Sequence, residues 1–128
     1  MPDPAVLPVS FTFIGLLAIV LSPLTGWVGV RRGQTRTLRG DGGDPELFRR
    51  IRIHGNLLET APVFALTLAA AESAGLGQGW LWAAVAVFVF GRVLHYRLYD
   101  SGKRGVAMVV TLLPGSLMGL WLLAVIWA

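Results

Sequence analysis

VLPVSFTFIGLLAIVLSPLTGWVGV, residues 6–30, runs for 25 positions without a charged side chain. A helix rises ~1.5 Å per residue, so this stretch crosses the ~30 Å hydrocarbon core of a bilayer with room to tilt. The preceding Met1-Pro2-Asp3-Pro4 is acidic. A signal peptide would have a basic leader and a shorter apolar core, so a retained span is expected. Three more apolar runs follow, at residues 51–74, 80–98 and 106–127. The fourth is charge-free; the second and third carry ionisable residues toward one end. In lipid, only helices and closed barrels satisfy their backbone groups. These runs are continuous rather than alternating, so the expected fold is an all-α integral membrane four-helix bundle in one domain, residues 1–128.

Composition agrees. Of 128 residues, 55% are hydrophobic, 14% are charged and none is cysteine. A soluble domain carries about 25% charged residues. Disorder, a disulfide scaffold and a cysteine-ligated metal site are excluded. The net charge of +4 could suggest nucleic acid, but the basic residues fall in only two places. Arg31, Arg32, Arg36, Arg39, Arg49, Arg50 and Arg52 lie between the first two runs or at the start of the second. Arg92, Arg97, Lys103 and Arg104 lie at the end of the third and just beyond it. Basic cytoplasmic loops give this pattern with no nucleic-acid partner, and both termini are then expected on the far side. Trp80, Trp82, Trp121 and Trp127 suit the outer interfacial belt and Trp27 the inner one.

The punctuation is consistent. Gly33–Glu46 reads as a polar, glycine-rich loop, Gly75–Gly79 as a tight turn and Asp100–Arg104 as a short basic loop. Asp44-Pro45-Glu46 predicts an N-cap followed by proline at the first helical position, so the second helix starts before the membrane. Gly115 and Gly119 form a small-xxx-small pair suited to close helix packing.

Ionisable groups at membrane depth are costly and face a bundle interior or wet cavity. Arg52, Asn56 and Glu59 share one face of the second helix, and Arg92, His95 and Tyr99 share one face of the third. Glu59 and Arg92 both lie roughly 10 Å deep, where they could pair across a helix contact. Such a pair could simply hold the bundle together. The surplus of arginine around it, with Arg32, Arg52 and Arg104 at the same mouth, suggests instead a ligand with more than one negative charge. Glu59 would then hold an ammonium group, giving a zwitterionic, multi-carboxylate ligand.

Elsewhere the expectations are plainer. His54 lies off the Arg52–Asn56–Glu59 face and reads as an interfacial side chain. Arg36, Arg39, Arg49 and Arg50 read as topology determinants at an anionic leaflet. Glu72 reads as solvated, and Pro62 and Pro114 as helix kinks. Two histidines and no cysteine offer no metal set. No Ser-His-Asp order, phosphate loop or nucleotide fingerprint occurs.

The stretch Arg52-Ile53-His54-Gly55-Asn56-Leu57-Leu58-Glu59-Thr60-Ala61-Pro62 resembles the second-helix signature Arg-x-x-x-Asn-x-x-Glu-Tyr-x-Pro of the MAPEG family, membrane-associated proteins in eicosanoid and glutathione metabolism. Gly91-Arg92-Val93-Leu94-His95 with Tyr99 is similar to its third-helix motif, and Asp41-Gly42-Gly43-Asp44-Pro45-Glu46-Leu47 to the loop of its bacterial branch. The resemblance implies a homotrimer in a bacterial inner membrane, with glutathione as co-substrate between subunits near the cytoplasmic side. Arg52, Asn56 and Glu59 would bind it from the second helix, and Arg92, His95 and Tyr99 from the third. The arginine that stabilises the thiolate would be Arg104, though its spacing from Arg92 is shorter than in well-studied members. Arg32 matches another arginine near the thiol. Thr60 stands where the signature has tyrosine, a shorter donor with no ring.

The activity implied is conjugation of glutathione to a lipophilic electrophile arriving from the bilayer, or reduction of lipid hydroperoxides by the same thiolate. Two rivals remain open: a small four-helix proton-coupled multidrug exporter and a non-catalytic membrane scaffold of the same fold. Such exporters place their glutamate on the first helix, where this chain has no charge, and lack arginines at membrane depth.

Overall fold

A computed structural model of the chain describes residues 7–128, so Met1-Pro2-Asp3-Pro4 and the expected start of the first span at Val6 lie outside the described residues. Among the described residues there are four helices and no strand: α1 (Pro8–Thr35), α2 (Pro45–Ser73), α3 (Gln78–Arg97) and α4 (Arg104–Trp127). The fold is an all-α membrane bundle. Helices α1, α3 and α4 are long and apolar enough to span a membrane. The 29-residue α2 has the length, but Arg49, Arg50, Arg52, Glu59 and Glu72 make it too polar to qualify by composition. Helix α2 packs against all three other helices, whereas α1 makes no close approach to α4 among the described residues.

Contacts between helix ends show that successive helices are antiparallel. The end of α1 meets the start of α2 through Arg31 and Asp44 (2.8 Å), and the start of α2 meets the end of α3 through Arg49 and Asp100 (3.1 Å). All eleven basic side chains therefore gather at one end of the bundle, here called the basic end.

The local signals act as expected at α2. The Asp44 side chain accepts from the Leu47 N–H at 2.6 Å, with Pro45 at the first helical position and Glu46 in the first turn. An acceptor cap, a proline without an N–H and a carboxylate at the positive end of the helix dipole each favour a start there. Helix α1 runs past the expected end of its span to Thr35, taking in Gly33, Gln34 and the arginines 31 and 32, and Arg36 ends it in the left-handed conformation. The loop is therefore shorter than the expected Gly33–Glu46.

The core centres on three rings, one each from α1, α2 and α3. Phe13 meets Phe64 and Phe88 edge-on at 5.0 and 5.5 Å between centroids, and Phe64 stacks on Phe88 at 4.4 Å. Such geometries add to the burial of large apolar surface. Val9, Leu68, Leu81 and Met118 extend the cluster, with Ala61, Ala71 and Ala84 between them. Helices α3 and α4 come closest at Gly91: a Cβ there would stand 2.7 Å from the Thr111 nitrogen and 2.8 Å from its Cα. Of the expected Gly115–Gly119 pair, only Gly115 faces a neighbour, Phe64, and Gly119 looks into open space.

Side-chain tethers hold α1. At the basic end Thr25 pairs with His54 (3.1 Å), and Arg50 donates to the Trp27 carbonyl (2.8 Å) while lying over the Trp27 ring. At the other end Glu72 is not solvated as expected. It accepts from the backbone N–H groups of Val9 (3.0 Å) and Ser10 (2.8 Å) and from the Ser10 hydroxyl (2.6 Å). The first turn of a helix has unpaired N–H groups; α1 opens with Leu7, which offers no side-chain cap, so a carboxylate from α2 fills the role.

Candidate functional site

Helix geometry divides the polar face of α2. At ~100° per residue, seven residues fall ~20° short of two turns, while four overshoot one turn by ~40°. Arg52 and Glu59 therefore stand almost in line, and Asn56 is rotated to one side. Accordingly, Arg52 and Glu59 are exposed (46% and 63% of the side chain), with Arg52 Nη1 4.0 Å from Glu59 Oε1. Asn56 turns toward α3. Its Oδ1 accepts from Arg52 Nη2 at 3.3 Å, and its Nδ2 lies 3.2 Å from Nε2 of His95.

Arg92 and His95 face inward from α3, whereas Tyr99, expected on the same helix, lies in the turn just past its end at Arg97. His95 retains 2% of its surface and meets the Tyr99 ring edge-on at 5.6 Å. Tyr99 is buried beneath two guanidinium groups, Arg104 at 5.7 Å and Arg49 at 5.9 Å from its centroid. A cation over an aromatic face is attracted by the ring quadrupole. Arg92 directs Nη2 to the Met108 sulfur on α4 at 3.2 Å, and its buried Nε has no hydrogen-bond partner among the described residues.

A Glu59–Arg92 pair does not form within the protomer. Both lie at similar depth, but Glu59 points away from the bundle and Arg92 into it, so Glu59 turns to Arg52 on its own helix. Arg32 is also apart from the cluster: its guanidinium donates to the carbonyls of Gly40 (2.8 Å) and Thr37 (3.4 Å), closing the loop after α1. Thr60 is buried and donates to the Asn56 carbonyl one turn back (2.8 Å), so its hydroxyl does not stand in for the missing tyrosine. The structure thus joins Arg52, Asn56, Glu59 and His95 in one chain of contacts and places Tyr99 and Arg104 beside it.

Two cavities adjoin these residues. A cleft of about 630 Å³ opens at the basic end between Asp44–Arg49 and Tyr99–Arg104. An apolar groove of about 370 Å³ runs between α1 and α3, walled by Leu16, Val20, Leu24 and Val89, and ends at Arg92, His95 and Tyr96.

Some contributors were not singled out from sequence. Arg49 and Arg50 do more than set topology. Arg49 donates to Asp100 and the Tyr96 carbonyl and covers two tyrosine rings; Arg50 bridges Glu46 and Trp27. Their i, i+4 and aromatic spacings were visible only in part, since Tyr96 lies on α3 and Asp100 in the turn after it. Met108 and Thr111 carried no signal, being ordinary residues of an apolar run.

An antiparallel four-helix membrane bundle with Arg, Asn and Glu on one face of its second helix defines a class, and the chain belongs to it: the MAPEG family, whose model matches residues 10–126. Among curated relatives, the inner membrane protein YecN of Escherichia coli K12 is 32% identical over 119 residues, covering 88% of this chain and 91% of its own length. YecN from Escherichia coli O6:H1 matches to the same extent. No solved structure gives a significant match. Integral membrane placement follows from the family, from the inner-membrane relative and from the three apolar helices.

Proposed function

We propose that this protein is a membrane-bound glutathione-dependent transferase, assembled as a homotrimer in the inner membrane with its basic end in the cytoplasm. The observation that carries this reading is the Arg52–Glu59 pair, two opposite charges left exposed on α2 at membrane depth. Charges there are costly in lipid, so they need a protein or ligand partner. A neighbouring subunit and a zwitterionic tripeptide between the two would supply both. Arg52 and the adjacent arginines match carboxylates, and Glu59 matches an ammonium group. The thiol would then lie near the Tyr99–Arg104 side, where an exposed guanidinium lowers a thiol pKa and raises its thiolate fraction. The thiolate attacks an electrophilic carbon from the bilayer: a sulfur–carbon bond forms, the leaving group or opened ring takes the electron pair, and the thiol proton goes to water. Arg92 and His95, at the end of the apolar groove, bring that route close to the polar cluster.

One observation favours a second reading, a binding scaffold without chemistry. Thr60 replaces the signature tyrosine and is turned to its own backbone. The test begins with melting of the detergent-purified protein across a glutathione series. Ligand that binds only the folded state stabilises it by RT ln(1 + [L]/Kd). A rise in melting temperature that saturates supports the site, and its absence removes glutathione from the reading. Conjugation assays with lipophilic electrophiles then separate enzyme from scaffold, and light scattering of the detergent complex reports the trimer.

A further inference from the structure

Arginine has no acceptor atom, so the Asn56 atom that meets Arg52 Nη2 is the amide oxygen. The Asn56 NH2 group therefore faces His95 Nε2, at 3.2 Å. An NH2 group can only donate, so Nε2 must offer a lone pair, and the imidazole is neutral with its proton on Nδ1. We propose that His95 is a positioning residue: from inside the core it sets the orientation of the Asn56 amide, and through that amide it aims the Arg52 guanidinium beside Glu59. Its functional consequence rests on ligand binding at the Arg52–Glu59 face; the hydrogen-bond direction does not.

The resemblance implied direct ligand contact for His95. With 2% of its surface exposed and Asn56 in front of it, it acts at one remove instead. A pair that only joined α2 to α3 could be replaced by two apolar side chains, because a buried polar contact gains little net stability. This pair continues outward, since the same amide that donates to His95 accepts from Arg52. The order can reverse. If His95 takes a second proton, both ring nitrogens donate, and the amide must turn its oxygen inward. Its NH2 group then faces Arg52, donor against donor, and Arg52 loses its support. The charged groups around the imidazole are Arg52 from α2, Arg92 on its own helix and Arg104 from α4, with Tyr99 edge-on. Glu59 lies on the far side of Arg52, and α1 brings no charged group to it among the residues described.

The chain has only two histidines, which makes the test direct. In the full-length protein labelled with 15N-histidine, His54→Gln identifies the His95 signals. At pH 7.5 the expected spectrum shows a protonated Nδ1 and an unprotonated Nε2, and Asn56→Leu converts it to a mixture of tautomers. A proton on Nε2, or a spectrum unchanged by Asn56→Leu, overturns the proposal. Calorimetry with glutathione supplies the functional arm. His95→Gln, whose amide oxygen can accept from Asn56, should bind within about twofold of the parent, while His95→Leu should bind at least about fivefold more weakly, a difference well inside what one lost polar contact produces. Equal affinity in both variants overturns the outward role. If the parent protein does not bind glutathione, the transferase reading fails by itself, and the nitrogen spectrum still decides the role of His95.

Discussion

Glu72 accepts hydrogen bonds from both the backbone N–H and the hydroxyl of Ser10, at 2.8 and 2.6 Å, and so caps a helix that begins more than sixty residues earlier in the chain. Removing it leaves the first-turn N–H groups of Val9 and Ser10 without an acceptor in apolar surroundings. Hydrogen bonds to charged groups contribute about 1.5–3 kcal/mol, so Glu72→Ala is expected to destabilise the protein by about that much. A melting temperature equal to that of the parent in the same detergent would count against the cap.

Gly91 and Gly119 should respond oppositely to substitution. A side chain at Gly91 meets the Thr111 backbone, which cannot move aside as a flexible side chain would. Gly91→Val should destabilise by about 1–3 kcal/mol, the usual cost of overpacking. Gly119→Ala meets nothing within the protomer and should be neutral or stabilising by up to about 1 kcal/mol through helix propensity. Melting of the two variants side by side checks the ranking; destabilisation by Gly119→Ala alone would place the close contact elsewhere.

The basic-end loop should be sensitive to acid. The Arg31 guanidinium hydrogen-bonded to Asp44, followed by the Leu47 N–H, holds the Asp44 carboxyl below its ordinary range. A carboxyl with a lower pKa in the folded state contributes stability above its unfolded pKa, and that contribution is lost as the pH falls through the folded value. Stability should therefore decline on the acid side, and Asp44→Asn should flatten that decline. Melting curves from neutral pH down to the carboxylate range measure it, with identical acid limbs as the contrary result.

Two substitutions separate binding from chemistry at the proposed glutathione site. Glu59→Gln removes the charge opposite the ligand ammonium and should weaken glutathione binding about tenfold, or ~1.4 kcal/mol. Arg104→Ala leaves that face intact and should reduce turnover more than affinity, since its role is to stabilise the thiolate. Unchanged turnover in Arg104→Ala would remove it as activator, and unchanged calorimetry in Glu59→Gln would remove the carboxylate from the site.

Much of the fold could be read in advance because it rests on local signals. Asp44-Pro45 starts α2, and 25 uncharged residues announce α1. Periodicity also placed Arg52, Asn56 and Glu59 on one side of α2, and the structure keeps them within contact of one another. It could not say which part of that side meets α3. The ~20° and ~40° offsets send Glu59 outward and Asn56 inward, which is why Glu59 meets Arg52 and not Arg92. The Glu72 cap was hidden for a different reason: its partner is a pair of backbone groups far along the chain, and backbone N–H groups leave no mark in a sequence.

Helix α1 is fastened at one end by Glu72 and at the other by His54, Arg50 and Asp44, and between these Phe13 anchors it to Phe64 and Phe88 in the core. Past Phe13, the side chains of Leu16, Val20 and Leu24 line the α1–α3 groove instead of the packed core. One wall of the groove is thus a stretch of α1 that carries none of the bonds fastening the helix. Its side chains can be exchanged for larger or smaller ones, and the bore of the apolar route reset, without disturbing any of those bonds.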